Sequence, residues 1–148
     1  MAYLNTTMIA RLLEDAKSSK KRIARKAYKE IMQISHLETK VDLITNMARN
    51  CCFEKLAQKA FADLKKEMST SGEYSAEQEA GQMEEMVYYG CRMPSIRVLA
   101  IEHILGLLED GKIPIDADGS AKFLNFVLEK TKNKESATVL RAQRILHR

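Results

Sequence analysis

At 148 residues, 45% hydrophobic and 30% charged, the chain has the size and balance of one globular domain able to bury ~68–70% of its unfolded surface. That excludes a disordered polymer and removes the need for disulfide or metal staples. The net charge of +4 is too modest to imply nucleic acid by itself, and three cysteines, two of them the neighbours Cys51 and Cys52, form no paired framework.

The first 71 residues contain neither glycine nor proline, while all six glycines and both prolines fall between Gly72 and Gly119. A stretch rich in Ala, Leu, Lys, Glu, Met and Arg without these breakers favours helix throughout. One uninterrupted helix of that length would run ~107 Å, several times the width of such a domain, so other residues must supply the breaks. In chain order these are Ser18-Ser19, the capping box Ser35-His36-Leu37-Glu38 and Asn50. A main loop follows near 69–75, with Gly72 inside it. Beyond it come the capping box Ser75-Ala76-Glu77-Gln78, Pro94 at a first helical position, Asp110-Gly111 opening a second loop over 110–119, and Asn133 before the last helix.

Seven or eight helices of about 12–16 residues are expected, with starts near 20, 36, 52, 76, 94, 119 and 134, and no strands. The only extended piece is 112–116. The whole of 1–148 reads as a single all-helical domain. Apolar faces recur at helical spacing: Ile23, Ala27, Ile31 and Ile34; Leu37, Val41, Ile44 and Ala48; Phe53, Ala57, Ala60 and Leu64. From Ile96 to Leu108 apolar residues cover nearly the full circumference, leaving a stripe of Glu102, Gly106 and Glu109, which predicts a central helix. The rhythm of short antiparallel helix pairs, and segments such as Pro94-Ser95-Ile96-Arg97-Val98-Leu99-Ala100-Ile101-Glu102, resembles the HEAT and armadillo class of helical repeats. The resemblance implies an α-solenoid-like stack that binds protein partners. A compact irregular helical bundle obeys the same pattern.

Charge falls in three blocks. From Met1 to Lys66 there are fourteen Lys/Arg against seven Asp/Glu; from Glu67 to Cys91 there are six Glu and no base; from Arg92 onward there are ten bases against seven acids. Within the first block, Lys21, Arg22, Arg25, Lys26 and Lys29 form a stripe opposite the Ile23/Ala27/Ile34 face. The like-charge pairs Lys21/Arg25, Arg22/Lys26 and Arg25/Lys29 each cost a helix ~0.2–0.5 kcal/mol, so such a stripe invites an anionic partner unless the glutamates of 73–85 neutralise it internally. Arg141, Arg144 and Arg148 form a second stripe that would extend the first if the termini met. Tyr88, Tyr89 and Arg92, beside Cys91, Met93 and Pro94, have the composition of a protein contact surface.

Chemistry-bearing motifs are lacking. Asp116-Ala117-Asp118-Gly119 departs from a calcium loop at Pro114 and Asn125 and reads as a turn. His36, His103 and His147 are too dispersed for zinc, and a nucleophilic Cys91/His103 pair is the one catalytic arrangement that can be drawn. No cofactor is expected. The stretch Met8-Ile9-Ala10 before Arg11 is far short of the ~7–15 apolar residues of a leader, and no run of ~18 apolar residues suits a membrane span. The expectation is therefore a cytoplasmic, non-catalytic interaction module, an adaptor, chaperone or leaderless secreted effector, that holds an acidic protein partner through charged helical faces. The alternative is a basic RNA- or DNA-associated protein.

Overall fold

The computed structural model describes residues 5–147, in which eight α-helices and no strand occur. They are α1 (Thr6–Ala16), α2 (Lys21–Met32), α3 (Leu37–Asn50), α4 (Glu54–Ser71), α5 (Ala76–Tyr88), α6 (Pro94–Glu109), α7 (Asp118–Lys130) and α8 (Ala137–Leu146). Short connections turn the chain back on itself, so α1 packs on α2, α3 on α4, α5 on α6 and α7 on α8. Each pair then meets the next: α3 touches α1, α2 and α5, while α6 touches α4 and α8.

Most breaks lie where the local chemistry predicts. Ser75 accepts from the Gln78 amide at 3.1 Å and the Gln78 side chain accepts from the Ser75 amide at 2.8 Å, a complete capping box. Pro94 opens α6 at the position where its missing N–H costs nothing. Three places differ. The cap of α3 is His36, not Ser35: the chain is still extended at His36, whose Nδ1 accepts from the Thr39 amide at 3.2 Å. The cap of α8 is Ser136, which accepts from the Val139 amide at 3.3 Å, while Asn133 Oδ1 receives the Glu135 amide at 3.0 Å in the turn before it.

The loop expected over 69–75 shrinks to 72–75, because α4 continues to Ser71. The hydroxyls of Ser69 and Thr70 donate back to the Lys66 carbonyl, and that of Ser71 donates to the Met68 carbonyl, one of the last four acceptors of the helix. Gly72 then stops α4 in the left-handed region, at φ +72°. The longest connection is 110–117 instead.

One continuous apolar core joins all eight helices. Ala27 and Ile31 of α2, Val41, Ile44 and Ala48 of α3, and Ala57, Ala60 and Leu64 of α4 are buried, with Ile34, Leu37 and Phe53 half-buried against them and Ile23 half-buried on α2. α6 buries seven side chains, Ile96, Ala100, Ile101, Ile104, Leu105, Leu107 and Leu108, over about half of its circumference, while Val98, expected in the same apolar surface, is exposed and Leu99 is half-buried. Its polar stripe is where α8 docks: the Arg141 guanidinium lies over Gly106, 3.6 Å from where a Cβ would stand, and Nε donates to Glu109. Met83 and Met86 are fully buried.

Candidate interaction surfaces

The stripe on α2 arises from strict segregation. Ala24, Ala27, Tyr28 and Ile31 bury one side, and Lys21, Arg22, Arg25, Lys26 and Lys29 are all exposed on the other. The helix begins without help: Lys20 at its N-cap makes no side-chain bond, and the first turn contains no acid. Lys20, Lys21 and Arg22 therefore crowd positive charge onto the positive end of the helix dipole, and α2 is held by its apolar face.

Among the described residues none of the five stripe cations forms an ion pair. The one acid of the helix, Glu30, is taken by Arg11 at 3.1 Å, and Arg11 also reaches Asp15 at 3.5 Å. Of the acids that could have neutralised the stripe, Glu67, Glu73, Glu79 and Glu84 have other neighbours. Glu67 pairs with Lys40 at 2.7 Å, Glu79 lies 3.4 Å from His103, and burial raises the Glu84 pKa against the opposing charge of Lys122. Glu73 joins Glu38 and Asp42 around Tyr74, where burial first and those three carboxylates next raise the tyrosine pKa.

Sequence reasoning missed the neighbour that widens this surface. Lys55, Lys59 and Lys66 fall within about 40° of one another on α4 and all are exposed. Lys59 Nζ sits 5.6 Å from the centre of the Tyr28 ring and pairs with Asp63 at 3.0 Å, and the Tyr28 hydroxyl donates to the same carboxylate. Burial, and then Asp63, push the Tyr28 pKa up. Tyr28 is thus the seam between two basic helices, not an exposed ring. The spacing of 4 and 7 in Lys55, Lys59 and Lys66 was the available signal.

The second basic segment does not extend the first. α2 packs on α1 and α3 while α8 packs on α6 and α7, which puts them at opposite ends of the order of pairs. Arg141 is consumed by Glu109, Arg144 is exposed, and Arg148 lies outside the described residues. The aromatic segment divides. Tyr88 turns inward, edge-on to Phe126 at 4.9 Å with Lys122 above it at 5.5 Å, and burial followed by Glu84 raises its pKa. Tyr89 is 77% exposed and carries the Arg49 guanidinium at 5.7 Å. Arg49 Nε in turn donates to the Gly90 carbonyl at 3.2 Å, and Gly90, at φ +84°, makes the turn that leaves Arg92 exposed.

No catalytic pair is assembled from Cys91 and His103. Cys91 sits in the turn before α6, its Sγ 3.7 Å from the Met86 carbonyl, and burial pushes its thiol up to about 11 despite Arg49 and Arg97. His103 is nine residues into α6, ~13 Å along the axis at 1.5 Å per residue, and its Nε2 faces Glu79 without the alignment of a hydrogen bond. Burial lowers the His103 pKa; Glu79 opposes this, and Lys65 and Lys112 reinforce it. The three cysteines are unpaired, and among the described residues no three His, Cys, Asp or Glu side chains group to hold a metal ion. No helix among them is long and apolar enough to cross a membrane. No protein-family model, no curated protein and no solved structure matches this chain.

Proposed function

We propose that this protein is a non-catalytic interaction module that binds an acidic protein partner through the basic face of α2, widened by the lysines of α4. The observation that carries the reading is the set of five exposed cations on one helical face with no ion pair among the described residues. A surface that repels itself is relieved by a partner of opposite sign, which steers association and fixes register. The order of helical pairs supports a short α-solenoid of the HEAT or armadillo kind, a scaffold suited to presenting such a face. Its role would be that of an adaptor, chaperone or effector, acting in a cytoplasm.

A nucleic acid is the second reading. The lysines of α4 favour it by making the basic surface two helices wide, whereas the burial of Tyr28 removes the one aromatic that could stack on a base. The test is affinity capture from the source cell with the wild-type chain and with a variant reversing Lys21, Arg22, Arg25, Lys26 and Lys29 to glutamate, each with and without nuclease. A protein captured by the wild type, resistant to nuclease, weakened by salt and lost in the folded variant is the expected result. Capture that survives the reversal removes the stripe from either reading, and capture abolished by nuclease selects the second.

A further inference from the structure

Among the described residues three large apolar side chains stay exposed, and two of them, Tyr89 and Val98 at 77% and 44%, stand at the same end of α6. Val98 there lines a groove of about 320 Å³ between α6 and α7. Val98 and Ile101 form one apolar wall and Phe126 and Val127 the other. Arg97 and Lys130 are the charged residues of the lining, and no carboxylate belongs to it.

Arg97 is held in place and Lys130 is exposed beside it. Arg97 lies 5.4 Å from the centre of the Phe126 ring, and its Nε donates to the Val87 carbonyl at 3.0 Å, which fixes the guanidinium plane within the lining. Lys130 ends α7, where it offsets the negative end of that helix together with Lys134, which donates to the Leu128 carbonyl. The opposite wall is the first turn of α6, which has neither a side-chain cap nor an acid, so its positive dipole end adds to the same field. The Cys91 thiol at the margin stays protonated at neutral pH and contributes no negative charge.

We propose that this groove is a docking site for a short peptide segment carrying an aliphatic or aromatic anchor beside carboxylates. The anchor fills the trough between the Val98/Ile101 and Phe126/Val127 walls, and the carboxylates meet Arg97 and Lys130. A lysine-rich or purely polar segment meets like charge or leaves the trough empty. The site is separate from the α2 face, since α2 packs on α1 and α3 whereas the groove is built from α6 and α7.

Amide chemical shifts of the full 148-residue chain test it, using three capped hexapeptides: Asp-Glu-Leu-Phe-Glu-Asp, the same with lysine at every acid, and the same with alanine at both anchors. The first peptide is expected to move the amides of Val98, Ile101, Val127 and Thr131 saturably, and the other two to leave them in place. The exposed-site variants Val98→Asp and Lys130→Glu, each checked for an otherwise unchanged spectrum, should weaken that binding roughly tenfold. Shifts confined to residues 21–29, no shifts at all, or equal shifts in the groove from the lysine peptide would each overturn the proposal.

Discussion

α2 and α8 have the same linear design, basic residues three and four apart opposite an apolar face, yet the structure uses them differently. On α8 the first arginine turns inward: Arg141 lies across Gly106 and binds Glu109, joining its helix to α6. On α2 all five cations face outward, and the one acid of the helix is drawn off by Arg11. Elsewhere charge is commonly spent between helices, as by Arg11 on Glu30, Lys40 on Glu67 and Lys59 over Tyr28 in the N-terminal half. The C-terminal half likewise turns charge into contacts between helices, with Glu79 at His103, Lys122 over Tyr88, Arg97 over Phe126 and Arg141 on Glu109. Spacing therefore identifies a charged face, while what lies across the gap decides whether the face is available.

The largest effect that sharpens this contrast is the loss of the apolar anchor of α2. If the helix is held by its buried side alone, Ile31→Ala should cost about 2–5 kcal/mol by chemical denaturation, with hydrogen exchange accelerating across 21–32. A loss below ~1 kcal/mol would mean that the basic face contributes to holding it.

Acid should act next, on the C-terminal half. Burial lowers the His103 pKa in the native state, so the folded protein keeps the ring neutral and unfolding takes up a proton. Stability from this group is complete above the unfolded value of about 6.5 and falls as pH drops through the native value, by at most ~1.4 kcal/mol per pH unit. His103→Gln should flatten that part of the denaturation profile; an unchanged slope would place the proton uptake elsewhere.

Smaller again is the Arg141–Glu109 pair. Because both side chains are partly exposed, Arg141→Ala should cost no more than ~1 kcal/mol, and less in high salt. The smallest change has the opposite sign: Lys21→Glu or Arg22→Glu should stabilise the free protein by about 0.3–1 kcal/mol at low ionic strength, since each replaces a cation at a helix N-terminus with an anion. A destabilising result would reveal an internal partner for the stripe.

The helix boundaries were legible wherever one residue decides the backbone, as Pro94, Gly72 and the Ser75–Gln78 box do. The centrality of α6 was legible from its nearly continuous apolar surface, and the α2 stripe from its spacing. His36 escaped because an imidazole is an uncommon cap and Ser35 offered the standard one. Arg141 was misread because its fate depends on Gly106 and Glu109, more than thirty residues away, and on the packing of α8 against α6. The same holds for Lys59 over Tyr28 and for the α6–α7 groove. Each needs two helices to be adjacent, and local pattern contains no term for adjacency.

The availability of the α2 cations is tested most directly by thermal stability against ionic strength, comparing the wild type with a variant carrying glutamine at positions 21, 22, 25, 26 and 29. From about 10 to 150 mM salt the screening length falls from roughly 30 to 8 Å. An unpaired, self-repelling stripe predicts that the wild-type Tm gains on that of the variant as salt rises, starting below it. A wild-type Tm that starts above the variant and loses ground with salt would show that the stripe is already paired within the protein, and would contradict its assignment to an external partner.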